Sequence, residues 1–196
     1  MLNTVYAEMH KEPFNGDFNI CNEFLKLKNK YNIVNAVETG SCVFSTTEWL
    51  GNNFDRVYSF EHNADFFHNF KYKIDSMNHV SVYNSDSIVG LNLIIDEIID
   101  PTIFFLDAHW GDNCPLPHEI DIISRCKAKH VIAIHDFKTH NPIIDGNMCY
   151  DHFDGYDLEI NAIYKNLINI YPDGIKFYYN HDVAGAKRGM IYILPE

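Results

Sequence analysis

The chain has 196 residues, enough for one domain with a substantial core and too few for two ordinary ones. Its 46% apolar and 14% aromatic content excludes a disordered chain. With 15 Lys plus Arg against 27 Asp plus Glu, the formal net charge of −12 repels phosphate backbones and acidic lipid, so neither a nucleic-acid nor a membrane partner is expected.

Cys21, Cys42, Cys114, Cys126 and Cys149 are odd in number, widely spaced and form no C-x-x-C pair. That usage speaks against a zinc ribbon or disulfide framework and for reduced thiols inside a cell. Residues 1–14 are mixed and polar, and no apolar run reaches spanning length, so a soluble cytoplasmic protein is expected.

Asp17 is a helix-capping residue type and predicts a helix to about Lys30, within an N-terminal helical extension of residues 1–32. Residues 33–38 read as a strand, a helix follows near 44–50, and 57–61 form a second strand. Asn63 caps a helix in which Phe66, Phe67, Phe70 and Ile74 recur at helical spacing. A strand over 80–83 leads to Asp86, Ser87 and a helix carrying Ile88, Leu91, Ile95 and Ile98. After Pro101 the unbroken apolar run 102–106 suits a strand buried on both faces. A helix begins near Pro117, a strand spans 131–134, and an irregular segment runs from Phe137 to about Asp157. Ile160, Ile163, Tyr164, Leu167 and Ile170 form one helical stripe, and 176–179 with 190–194 suit an antiparallel pair. Five strand–helix units followed by such a pair predict one doubly wound α/β domain over residues 1–196.

Two strand ends carry acids at a ligand-binding spacing. Val37-Glu38-Thr39-Gly40-Ser41 ends a strand in an acid and a small-residue turn, and Glu61, 21 positions past Gly40, ends the next. The layout suits a nucleotide-type cofactor at the carboxyl edge of a parallel sheet. Turn N–H groups approach the ligand, and the second acid accepts hydrogen bonds from ribose hydroxyls. Gly40 to Ser45 cannot be read as G-x-G-x-x-G, which disfavours a dinucleotide. The plainer alternative makes Glu38 and Glu61 surface acids and Asp86 a helix cap.

Asp107, His109, His135 and Asp136 end two strands that are neighbours in this topology, so they can converge on one cation. Oxygen donors favour magnesium or manganese, and imidazoles tilt the set toward manganese, iron or zinc. The alternative is a pair of hydrogen-bonded pocket histidines, in which His109 or His135 serves as general base. Segment 137–157, with His140, Asn141, Asp145, Met148, Tyr150, His152, Phe153 and Tyr156, is expected to be an acceptor-binding lid. Cys114 to Pro117 would form the opposite wall, and Trp110 would stack on ligand or pack in the core. Exposed apolar lid residues would alternatively make a homodimer contact.

Together these residues resemble the class I S-adenosylmethionine-dependent methyltransferases over roughly residues 33–195, nearest to metal-dependent small-molecule O-methyltransferases such as the macrolide-sugar group. Val37-Glu38-Thr39-Gly40 is similar to the first motif, Glu61 to the ribose-binding acid and Asn84-Ser85-Asp86 to the adenine-side segment. Phe104-Phe105-Leu106-Asp107-Ala108-His109 is similar to the fourth motif. The first motif usually carries two or three glycines against Gly40 alone here, and His135 stands where metal-binding relatives usually carry an acid.

The resemblance implies a single Rossmann-like domain with a seven-stranded, mostly parallel sheet, an antiparallel last strand and helices on both faces. It implies S-adenosylmethionine on Glu38, Thr39, Gly40, Ser41, Glu61, His62, Asp86, Ser87, Asp107 and Ala108. It further implies a divalent metal (magnesium or manganese) on Asp107, His135 and Asp136. Catalysis by His109, Asp107 and His135 would methylate a small-molecule acceptor, most simply at oxygen. Two other readings stand beside it. One is a methyltransferase-like domain that binds a ligand or partner without catalysis. The other is a metal-dependent hydrolase, because Asp107-Ala108-His109-Trp110-Gly111-Asp112 is a little like the ureohydrolase metal motif, although no Asp-x-Asp follows Asp112.

Overall fold

A computed structural model describes residues 5, 8, 10–109, 112–145 and 150–195. Its seven-stranded sheet comprises β1 (Asn35–Thr39), β2 (Arg56–Glu61), β3 (Val80–Asn84), β4 (Thr102–Leu106), β5 (His130–His135), β6 (Lys176–Tyr179) and β7 (Met190–Leu194). The spatial order is β3-β2-β1-β4-β5-β7-β6. The pairs β1–β2, β2–β3, β1–β4 and β4–β5 are parallel, whereas β7 runs antiparallel to both β5 and β6. Six strands therefore share one direction, as expected, and the strand order reverses between β1 and β4. In open parallel sheets that switch point is where a ligand crevice opens.

The helices are α1 (Phe18–Tyr31), α2 (Ser45–Asn53), α3 (Ala64–Phe70), α4 (Ser87–Ile94), α5 (Leu116–Ile123) and α6 (Ile160–Ile170). Period-2 alternation along the central strands divides the core. Phe104, Leu106, Ile132 and Ile134 face Leu91, Ile120, Ile163 and Leu167 of α4, α5 and α6. Ile103, Phe105, Val131 and Ala133 face Ile20, Phe24 and Leu27 of α1 and Leu50 of α2. Both faces of the sheet are thus covered, which is why β1, β4 and β5 are buried along their whole length.

Asp17, Asn63 and Asp86 each accept backbone N–H bonds as side-chain caps of α1, α3 and α4. The first strand starts later than the apolar run beginning at Ile33, because Ile33 N–H still bonds to the Lys28 carbonyl. Val34 and Asn35 then share the Pro101 carbonyl before the ladder begins. Segment 137–157 also holds more structure than expected, with a helical turn at Pro142–Asp145 and a small hairpin pairing His152–Phe153 with Tyr156–Asp157. Trp110, expected to stack on ligand or pack in the core, and Met148 of the expected lid lie outside the described residues. Among the described residues no helix is long and apolar enough to cross a membrane.

Candidate active site and cation cluster

A cavity of about 780 Å³ opens at the carboxyl edge of β1, β2 and β4, within the size range of small-ligand sites. Its wall includes Gly40–Val43, Glu61–Asn63, Ser85–Ser87 and Asp107–His109, with Asn113, Pro115 and Asp136 at one side. Gly40, Ser41, Glu61, His62, Asp86, Ser87, Asp107 and Ala108 therefore all reach the cavity. Glu38 and Thr39 do not line it.

Glu38 is instead a buried brace. Its Oε2 accepts from Thr47 Oγ1 and Ser59 Oγ, both at 2.5 Å, while Oε1 has no partner. Burial pushes its carboxyl up to about 7, against those two hydrogen bonds and with help from the charges of Asp107 and Glu61. Thr39 is fully buried, and its hydroxyl and carbonyl both accept from Asp107 N–H. Together these contacts fasten the end of β1 to those of β2 and β4.

The loop after β1 reaches a left-handed backbone at positions that carry no glycine. Gly40, Cys42 and Phe44 have φ of 83°, 50° and 62°, so every second residue is left-handed. Glycine would adopt that backbone freely, whereas Cys42 and Phe44 pay a steric cost of roughly 1–3 kcal/mol each. Long-range contacts offset it. Cys42 N–H donates to Glu61 Oε2 at 2.7 Å, and Phe44 is fully buried with Val43, Phe70 and Ile74. Gly40 and Ser41 N–H groups both donate to the Phe60 carbonyl. Glu61 also accepts from Asn63 N–H at 2.7 Å through Oε1. Each carboxylate oxygen thus uses one lone-pair direction on its own loops.

At the other end of the cavity, one ligand atom from each of Asp107, His109 and Asp136 lies within 4.8 Å of the others. The strand ends place them: Asp107 follows β4, Asp136 follows β5 with a left-handed φ of 56°, and His109 lies two residues past Asp107. The His109 side chain is wholly buried, yet among the described residues neither ring nitrogen has a hydrogen-bond partner. The set differs by one residue from the expected Asp107, His135 and Asp136. His135 Nδ1 is already 3.2 Å from both Asp107 Oδ1 and Asp136 Oδ1. Burial opposes protonation of this ring, but Asp136 and Asp107 overcome it and hold its pKa well above the usual histidine range. Burial likewise works against ionisation of Asp136, and the charges of His135 and Arg188 outweigh it and hold that carboxyl well below the usual range.

Three participants carried no signal in the sequence. Arg188 bridges Asp136 and Asp151 through its Nε and Nη2, although the pairs are 52 and 37 residues apart. Asp151 follows no strand-end pattern, and Glu119, fully buried near His109, Thr39 and Ser87, reads in sequence as an ordinary first-turn helix acid. Of segment 137–157, Phe153 is in the core with its ring 6.5 Å from that of His109. Tyr150 lies under Lys138 and His140 faces Glu159, so none of these three lines the cavity.

Solved structures share this fold over all or most of the chain. An O-methyltransferase from Bacillus cereus, solved in complex with SAH, superposes with a TM-score of 0.63 at 18% identity, covering 100% of this chain and 87% of that one. A caffeoyl-CoA O-methyltransferase-like protein from Staphylococcus aureus gives 0.64 at 12% identity, covering 100% and 91%. The chain has the class I methyltransferase fold. An rRNA methylase from Streptococcus thermophilus shares the methyltransferase fold at a TM-score of 0.59 and 13% identity, covering 89% and 96%. No protein-family model and no curated protein matches the sequence. The fold was legible from the sequence even though no family model recognises the chain.

Proposed function

We propose that the protein is an S-adenosylmethionine-dependent methyltransferase acting on a hydroxyl of a small molecule, assisted by a divalent cation. One observation carries the reading: Asp107, His109 and Asp136, the cation-type cluster, line the same cavity as Gly40, Ser41 and Glu61. In this reading a cofactor site and a proton-handling site share one space, as group transfer requires. The Bacillus cereus neighbour in complex with SAH supports the choice of cofactor.

In this reading Glu61 receives the ribose hydroxyls, the Gly40–Val43 loop and Ser85–Ser87 flank the nucleoside, and Asp107 and Ala108 face the methyl-donor end. S-adenosylmethionine supplies an already activated methyl, so the protein's work is to align the acceptor and take its proton. Asp107, His109 and Asp136 would hold the cation, whose charge lowers the acceptor hydroxyl's pKa. His135 keeps Asp107 and Asp136 turned toward each other. His135 does not line the cavity, so His109, whose ring nitrogens have no hydrogen-bond partner among the described residues, is the better base in the cation-free site. A net charge of −12 favours a neutral or cationic small acceptor over RNA, although one neighbour is an rRNA methylase.

The test is transfer of labelled methyl from S-adenosylmethionine across a panel of hydroxyl and amine acceptors, with manganese and then with chelator. Turnover on hydroxyl acceptors is expected to fall at least about 100-fold on chelation. SAH binding without turnover on any acceptor would favour the non-catalytic binding domain, and acceptor breakdown without S-adenosylmethionine would favour the hydrolase.

A further inference from the structure

A further carboxylate, Asp151, lies beside the cluster and outside the strand-end pattern. His109 Nε2 is 4.0 Å from Asp107 Oδ1, 3.8 Å from Asp136 Oδ2 and 3.8 Å from Asp151 Oδ2. These separations are too long for hydrogen bonds. Each separation from His109 falls within the roughly 3–4.3 Å at which ligands about 2.0–2.2 Å from one cation stand apart. Asp151 lies just outside the set whose atoms are all within 4.8 Å of one another, so its carboxylate would have to swing inward to share the ion.

Arg188 decides which oxygens are free. Its Nε donates to Asp136 Oδ1 and its Nη2 to Asp151 Oδ1, so the other oxygen of each carboxylate is the one near His109. The backbone fixes Asp151 as well. Its N–H donates to the Asp136 carbonyl at 2.8 Å, and its own carbonyl accepts from Leu158 N–H at 2.9 Å. A buried imidazole with no hydrogen-bond partner among the described residues thus sits among three carboxylates, one of them delivered by the segment between β5 and the small hairpin.

We propose that Asp151 is a fourth protein ligand of the cation site, completing a donor set of three carboxylates and the His109 imidazole. The inference rests on the cation-assisted reading above and deepens it. One nitrogen among oxygens shifts the preference from magnesium toward manganese and the later first-row divalent ions. Ligation would also tie the hairpin His152–Phe153/Tyr156–Asp157 to the site, because Asp151 immediately precedes it.

The experiment is a manganese titration of the full-length protein, followed by the EPR signal of the free ion, for wild type, Asp151→Asn and Asp157→Asn. Asp157 pairs with Lys138 and His152 on the same hairpin and sits apart from the cluster, so it reports hairpin disturbance alone. Wild type is expected to bind manganese with an imidazole nitrogen coupling in the bound-ion spectrum. Asp151→Asn is expected to weaken binding at least tenfold, and Asp157→Asn to stay within twofold. Wild-type affinity in Asp151→Asn, or an equal loss in Asp157→Asn, would overturn the assignment, as would a wild type that binds no manganese. SAH titrated in parallel separates the two levels. Failure of SAH to bind wild type removes the methyltransferase reading while the ligand assignment stands or falls on manganese alone.

Discussion

Gly40→Ala is expected to lose SAH affinity by at least about tenfold, the worth of one misplaced charge-assisted hydrogen bond, and to unfold more readily by roughly 2–4 kcal/mol. Gly40 has φ of 83°, where an L side chain is strained whatever the space. Space is also absent. A Cβ there would stand 2.5 Å from the Asp107 carbonyl oxygen, 2.9 Å from its carbon and 3.1 Å from Ala108 Cα. All three atoms are backbone, so no rotamer change relieves the clash, and the β1 turn must part from the end of β4. The Gly40 and Ser41 bonds to the Phe60 carbonyl hold that turn against β2, and separation would disturb the loop that meets Glu61. Urea denaturation and SAH calorimetry on the same preparation check both effects. Wild-type values in both would mean that the close approach of β1 and β4 has no bearing on the site.

Glu38→Gln is expected to change stability in a pH-dependent way. The folded protein holds the Glu38 carboxyl up to about 7, against 4.5 for an unperturbed carboxyl. Between those values the unfolded chain has released its proton while the folded chain keeps it, so folding takes up a proton. Stability from this group is full below about 4.5, falls as pH rises to about 7 and is flat beyond. The difference corresponds to about 3 kcal/mol as an order of magnitude. Glutamine keeps an oxygen for Thr47 and Ser59 and has no proton to lose. The stability of Glu38→Gln relative to wild type should therefore improve by about that amount between pH 4.5 and pH 8. A pH-independent difference would mean that Glu38 ionises normally in the folded chain. The same burial keeps Glu38 from the cavity, so the substitution should change SAH affinity much less than Gly40→Ala does.

The fold was legible because its signals are local. The run 102–106 is apolar on both faces and became β4, and the stripe from Ile160 to Ile170 became α6, although its Tyr164 is exposed. Helices α3 and α4 end sooner than their apolar spacing suggests, since 3-10 turns at Lys71–Lys73 and Ile95–Glu97 close each one. Ile74 and Ile98 beyond those turns are still buried, so the spacing was informative about the core even where it misjudged the helix end.

The site was legible only in part, for a physical reason. Gly40, Ser41, Glu61, Asp86 and Asp107 sit at ends of elements whose order a sequence reveals, and all of them reach the cavity. Glu38 belongs to the same pattern, but the direction of its side chain depends on Thr47 and Ser59, which bond it from behind the loop. Cys42 and Phe44 adopt a backbone that their residue types disfavour, because Glu61 and the Phe70–Ile74 cluster over-determine it. His135, expected among the cation ligands, is caught between two carboxylates, while the β4-end ring of His109 has no hydrogen-bond partner among the described residues. Arg188 and Asp151 enter through pairings that no local pattern encodes.

Calorimetric titration of SAH into the purified wild-type protein, with manganese and then with chelator, tests the central claim most directly. The account predicts saturable binding to one site in both conditions, through a cavity built on Gly40, Glu61 and Asp86. Absence of binding in both would contradict it and leave a methyltransferase fold put to another use.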